Sequence, residues 1–219
     1  DIAIADGLIC EAATSAMRPF DGSGLIAMPG LIDLHGDGFE RHIAPRNGVE
    51  FDLETALLAT DRELISNGIT TAYLAMTISW EPGLRSLERA REIVSALKKV
   101  QSRCACELRL QLRWEIFALE AIADIESWLD MDPAPTLAFN DHLTAILTGM
   151  KPHILAKNAD RSGVSVQDYT ARLIALKARE DEVSAAIGYL SGLARTKGVT
   201  CFAHDEISPD QRAANRATG

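Results

Sequence analysis

An α/β fold with a parallel sheet is the fold class that the sequence predicts. Apolar stretches rich in β-branched residues alternate with stretches of helical periodicity along most of the chain, which is the pattern of repeated βα units. The predicted strands are apolar on both faces, as expected for strands that helices cover. Polar side chains follow nearly every one of them. An open sheet would gather such side chains at one crevice, whereas a barrel contributes them from each strand, so we expect a (β/α) barrel with its site at the C-terminal rim.

Length and composition narrow the class of protein. The chain has 219 residues, 47% of them hydrophobic and 24% charged, which suits one large or two small domains with a substantial core. A net charge of -9 argues against nucleic acid and anionic membranes as partners. No stretch is apolar enough to predict a membrane span. The four cysteines form no C-x-x-C pair and indicate reduced thiols, so we expect a cytoplasmic protein.

Short apolar runs predict the strands. Residues 1–29 contain short β segments, and Asp6-Gly7 between two apolar runs predicts a hairpin turn. Five longer runs, several of them rich in β-branched residues, predict the strands of the parallel sheet. They lie at 31–38, 69–78, 107–117, 135–142 and 199–206.

Helical spacing of apolar residues predicts a helix after most of these strands. Leu53, Leu57 and Leu64 recur on one stripe of the first helix, and Ile93 and Leu97 do so on the second. A polar stretch at 148–165 precedes a single long helix. The predicted helices lie at 52–67, 86–101, 119–130 and 167–196, with Gly68 and Gly198 as stop signals.

Side chains that could bind a metal follow four of the five strands. His35 and Asp37 stand two residues apart at the end of the first, a spacing that places both on one face of a strand. Glu115, His142 and His204 end later strands. Imidazole and carboxylate are the ligands that Zn²⁺, Mn²⁺ and Fe²⁺ accept, and Glu115 could bridge two ions. Each residue alone could equally be structural, either hydrogen bonded within the fold or capping a helix.

Longer motifs carry a resemblance to a known family. The string PGLIDLHGDG is similar to the first-strand motif of the amidohydrolase superfamily, with aspartate in place of a second histidine. The strings NGITTAYLA, LRLQLRWE, FNDH and CFAHDE follow in order. Together they resemble the branch of alpha-D-ribose 1-methylphosphonate 5-triphosphate diphosphatases, which act in phosphonate metabolism. The resemblance extends over the whole chain.

The resemblance implies a fold, a reaction and a set of ligands. The fold would be a metal-dependent (β/α) barrel of amidohydrolase type over 30–219, with 1–29 as part of a small β-sandwich. Two divalent ions, Zn, Mn or Fe, would activate the water that releases pyrophosphate from a phosphorylated small molecule. The metal ligands would be His35, Asp37, Glu115, His142 and His204. The triphosphate would need basic partners, for which the candidates are Arg41, His42, Arg46 and Arg113.

Comparison with the same branch also predicts an incomplete barrel. Five strands precede Gly219, and the catalytic aspartate of the superfamily lies on the last strand of eight, so we expect the C-terminal third to be missing and the general base to lie beyond Gly219. A chain of this kind would expose a sheet edge and self-associate, which allows a homo-oligomer. Lacking a positioned base, it would act at least about a hundredfold more slowly than an extended version.

Two other functions fit the same residues. The first is hydrolysis of an amide or cyclic amide, in a deacetylase or an enzyme like dihydroorotase, because the same ions and water would attack a carbonyl. The second is an inactive scaffold on an incomplete barrel. Arginines near the first strand favour the phosphate substrate, and metal content separates an enzyme from a scaffold.

Overall fold

The computed structural model describes residues 2–5, 8–12, 14, 17–46, 48–149, 151–204, 206 and 208–218. Its first elements are two short strands, Ala3–Ala5 (β1) and Leu8–Cys10 (β2), which pair antiparallel. The predicted hairpin is therefore confirmed, although its turn residues Asp6 and Gly7 lie outside the described residues. The β-sandwich expected of 1–29 is not shown and stays a prediction.

A second sheet contains five parallel strands in the order of the sequence. It curls and is surrounded by helices, an α/β arrangement compatible with part of a (β/α) barrel. The strands are Leu31–Gly36 (β3), Ile69–Ile78 (β4), Glu107–Glu115 (β5), Thr136–Asn140 (β6) and Cys201–Ala203 (β7). Each falls within a predicted strand, because apolar runs between turn signals mark buried parallel strands well.

Helices connect these strands. Two of the predicted ones begin at side-chain caps, since Asp52 and Ser86 accept the backbone N–H groups of Thr55 at 2.8 Å and Arg89 at 3.2 Å. The helices are Glu40–Ile43 (α1), Leu53–Ser66 (α2), Leu87–Val100 (α3), Ile122–Trp128 (α4), His142–Thr148 (α5), Pro152–Arg161 (α6), Val166–Lys177 (α7), Glu180–Thr196 (α8) and Pro209–Thr218 (α9). None of the helices in the described part of the chain is long and apolar enough to cross a membrane.

Two expectations about the helices after β6 are wrong. The polar stretch at 148–165 contains α6, which buries Leu155 and Ala159 one turn apart. The single helix expected at 167–196 is two helices, because the chain turns at Arg179, whose side chain binds Glu120 at 2.7 Å and Glu182 at 2.9 Å.

The central strand β5 has one apolar and one polar face. Leu108, Leu110, Leu112 and Trp114 belong to the hydrophobic core that includes the apolar stripe of α3. The alternate positions Gln111, Arg113 and Glu115 lie on the other face and are also buried. The expectation that strands are apolar on both faces is thus wrong for β5. These three buried polar side chains make this face of the sheet a candidate functional site.

Asp61 of α2 fastens the helix layer to the start of β5. Its carboxylate, 6% exposed, accepts the backbone N–H groups of Ala105 at 2.9 Å and Cys106 at 2.8 Å. Replacing Asp61 with alanine leaves the N–H of Cys106 buried and unpaired and that of Ala105 to solvent, so we expect the free energy of unfolding to fall by about 2 kcal/mol in urea titrations. Asp61→Asn keeps an acceptor oxygen and should lose less than half of that. Equal losses in the two variants would contradict this role.

Candidate active site

Three of the five histidines meet at the C-terminal edge of the five-stranded sheet. His35 stands near the end of β3, His142 begins α5 directly after β6, and His204 follows β7. The ring centroids of His35 and His204 are 5.2 Å apart, and those of His142 and His204 are 5.9 Å apart. Parallel strands place their C-terminal ends at one edge, which brings together histidines that are far apart in sequence.

Glu115 provides the buried carboxylate of this cluster. It ends β5, is 3% exposed, and accepts hydrogen bonds from the ring Nδ1 of His142 at 2.5 Å and from the backbone N–H of the same residue at 3.2 Å. Next to it, Asp141 caps α5 by accepting the backbone N–H of Thr144 at 2.9 Å. Glu115 therefore orients His142 both through the ring and through the main chain.

Gln111 of β5 forms a hydrogen bond with His35 of β3. Its side-chain oxygen hydrogen bonds the ring Nδ1 of His35, and its amide N–H donates to the carbonyl of Leu34 at 3.1 Å. Sequence reasoning missed Gln111, although its position two and four residues before Arg113 and Glu115 places it on the same strand face. The pairing of β3 with β4 shifts register between Asp33 and Gly36, which sets the direction of His35 locally.

Asp37 lies beyond the regular part of β3. The strand ends at Gly36, and the carbonyl of Asp37 accepts the backbone N–H of Glu40 at 3.2 Å in the turn before α1. The alternation that would place His35 and Asp37 on one strand face therefore does not reach Asp37. Its role as a ligand stays a prediction that rests on the resemblance.

A buried cation, Arg113, stands beside the histidines. It is 5% exposed, and its Nη2 lies 3.5 Å from Nε2 of His204. With its amide oxygen turned toward the guanidinium, Asn140 accepts from Nη2 at 3.2 Å and from Nε at 3.3 Å. Burial and the neighbouring Arg85 lower the pKa of Arg113. Among the described carboxylates none lies within ion-pair distance of Arg113, while Glu115, Glu40 and Asp37 act on its charge from farther away.

The other predicted phosphate partners lie elsewhere. Arg41 and His42 both bind Glu63 of α2, the latter at 2.5 Å between Nε2 and Oε2, and they line a separate cavity of about 370 Å³. The hydrogen bond from His42 is the main cause of the lowered pKa of Glu63. Arg46 is exposed, with a backbone bridge to Val49. Of the four predicted basic partners, the structure brings only Arg113 to the histidines.

Two acidic residues, Asp205 and Glu206, follow β7 in the sequence. Asp205 lies outside the described residues. Glu206 accepts hydrogen bonds from Arg212 and Asn215 of α9, each at 2.9 Å, and these bonds lower the pKa of Glu206. Glu206 therefore serves as an anchor for α9, a helix that sequence analysis did not predict.

The donor set suits a divalent ion by type, since imidazole and carboxylate are the ligands such ions take. In the described part of the chain, however, no group of three or more His, Cys, Asp or Glu side chains is arranged to hold a metal ion. The side chains instead form pairs, His35 with Gln111 and His142 with Glu115. A metal at the second ring nitrogen of His35 or His142 would leave these hydrogen bonds in place, whereas a metal on the Glu115 carboxylate would compete with His142.

Comparison with known proteins points to one distant relative. The chain is 24% identical over 217 residues to alpha-D-ribose 1-methylphosphonate 5-triphosphate diphosphatase of Escherichia coli (strain K12), and the alignment covers 95% of the chain. The chain spans 57% of the length of that protein. No protein-family model matches the chain, and no solved structure matches it. The chain is thus similar to a part of a diphosphatase.

Proposed function

We propose that the chain forms the catalytic part of a hydrolase that cleaves a phosphoric anhydride. The substrate would be a 5-triphosphate ester such as alpha-D-ribose 1-methylphosphonate 5-triphosphate, and the product pyrophosphate. The observation that carries the proposal is the meeting of His35, His142 and His204 at the C-terminal edge of a parallel sheet, with the buried Glu115 bound to His142. The distant diphosphatase supports the reaction class.

Divalent ions belong to this proposal. His35, Asp37, Glu115, His142 and His204 would hold two ions, which could be Zn, Mn or Fe. When bound, such an ion lowers the pKa of a coordinated water from about 15.7 to about 7 and stabilises charge on phosphoryl oxygens. Three imidazoles and a buried carboxylate fit this role by donor type, and they lie at the C-terminal ends of β3, β5, β6 and β7.

The residues of the chain contribute charge and orientation. Arg113 places a buried guanidinium at the cluster, where a phosphoryl oxygen could replace the ion-pair partner that the described carboxylates do not supply. Glu115 orients His142 through a 2.5 Å hydrogen bond. Gln111 orients His35 in the same way. These contacts restrict how the rings present their second nitrogen to a ligand or substrate.

The test is a comparison of substrates with and without metal. We expect pyrophosphate to be released from a 5-triphosphate ester in the presence of Zn²⁺, Mn²⁺ or Fe²⁺ and not in EDTA. An N-acetyl sugar and dihydroorotate serve as the amide and cyclic amide substrates. Hydrolysis of either of these in place of the triphosphate would overturn the proposal, as would the absence of both metal binding and pyrophosphate release.

A further inference from the structure

A cavity of about 400 Å³ opens next to Glu115 and His142, on the side of α5 and α6. This volume lies in the range of small-molecule sites, about 300 to 1,000 Å³. From the side chains that line it, we propose that the cavity binds the phosphate groups of a phosphorylated small molecule. The residues that carry the argument are Trp80, Glu81, Arg85, Ile146, Lys151 and Arg161.

The carboxylates of the cavity are already occupied. Glu81, 6% exposed, accepts two hydrogen bonds from Nη2 of Arg161 at 2.7 and 2.8 Å and a third from the hydroxyl of Tyr169 at 2.6 Å. Glu115 accepts from His142. Burial raises the pKa of Tyr169, so the hydroxyl remains a donor to Glu81. The hydrogen bonds to both carboxylates therefore reduce the repulsion between them and an incoming anion.

The cations keep donors that no described residue uses. Arg161 binds Glu81 through Nη2, and Arg85 binds Glu40 through Nε and Nη2, which leaves Nη1 of each guanidinium. Lys151 forms no ion pair with a described carboxylate, and its side chain lies at the start of α6. A guanidinium held by a buried carboxylate is oriented in advance, so a phosphate meets fixed donors.

Part of the lining is apolar and forms an apolar wall, and this distinguishes an organic ligand from a bare ion. Trp80, Ala145, Ile146 and Ile154 line the cavity. Small-molecule sites combine such walls with a few polar groups that fix orientation. We therefore expect a phosphate ester to bind more tightly than an inorganic polyphosphate of the same phosphate number, because its organic part covers the apolar wall.

This inference rests on the proposed function for the identity of the ligand, but binding can be measured without catalysis. Titration calorimetry of the whole chain in EDTA would use inorganic tripolyphosphate and a ribose 5-triphosphate ester. Lys151→Gln should weaken binding of both by at least about tenfold, the order expected for one charge-assisted contact. Lys157→Gln on the same helix is the matched control, because Lys157 is exposed and does not line the cavity.

The outcomes separate the cavity from the reaction. Saturable binding that Lys151→Gln weakens and Lys157→Gln leaves within about twofold supports the cavity, even if no pyrophosphate is released. The proposal is overturned if neither probe binds the unaltered chain, or if the two lysine variants bind alike. Tighter binding of the ester than of tripolyphosphate supports the apolar wall, and the reverse order overturns that part. Lys151 is exposed and makes no capping hydrogen bond, so its replacement does not threaten folding.

Discussion

Replacing His35 with alanine is expected to weaken binding of a divalent metal by at least about a hundredfold, since even removing a partner that only orients a ligand costs about 10- to 100-fold. The fold should survive, because His35 is exposed and its ring contacts lie at the rim. Elemental analysis and calorimetric titration with Zn²⁺ or Mn²⁺ measure the first effect, and circular dichroism measures the second.

His153→Ala is the matched control for this experiment. His153 lies on α6, is exposed, and stands outside the cluster of His35, His142 and His204. We expect its replacement to leave metal content unchanged. If His35→Ala and His153→Ala retain the same metal content as the unaltered chain, His35 is not a ligand and the metal centre must be abandoned.

Replacing Trp114 with alanine should lower the free energy of unfolding by about 4 kcal/mol, the order observed when large buried aromatic side chains are truncated. Trp114 is 0% exposed and packs edge-on against Phe139, with ring centroids 5.8 Å apart. Its indole N–H also donates to the carbonyl of Ala118 at 3.0 Å, and this bond fixes the turn after β5. Urea titration of the two proteins gives the difference.

Two further variants make the result specific. Trp114→Phe keeps most of the volume but loses the hydrogen bond, so we expect an intermediate loss of about 2 kcal/mol. Ile174→Ala removes an apolar side chain that is 63% exposed, and its cost should stay below about 1 kcal/mol. A loss below about 1 kcal/mol for Trp114→Ala would show that β5 is not the packed centre of the sheet.

Local patterns predicted the sheet well and the helices after β6 poorly. The β-branched residues of 69–78 predict β4, and Gly68, the stop signal of the helix before it, has a φ of 77° that suits the turn into the strand. In contrast, α6 is only 10 residues long and buries only Leu155 and Ala159, so its buried stripe spans just one turn. The break at Arg179 has no Gly or Pro to mark it, and one partner of Arg179 there is Glu120, 59 residues away.

Only part of the candidate site could be predicted from local sequence patterns. His35, His142 and His204 could be predicted together, because one rule about parallel strands places all three at one edge. Their partners could not. Glu81 and Arg161 are 80 residues apart in sequence, and Glu63 meets His42 across 21 residues. Which cation faces the site and which is neutralised depends on such tertiary pairs.

The residues of the cluster lie on both central and outer strands of the sheet. Glu115 stands on β5, which pairs with β4 at eight positions and with β6 at five, whereas His35 and His204 stand on or next to the outer strands β3 and β7. Backbone amides near a sheet margin open at lower free energy than those at its centre. Part of the free energy of ligand binding is then spent on ordering β3 and β7, which lowers the apparent affinity. Ligand binding should accordingly slow hydrogen–deuterium exchange at both margins together, while exchange within β5 stays nearly the same.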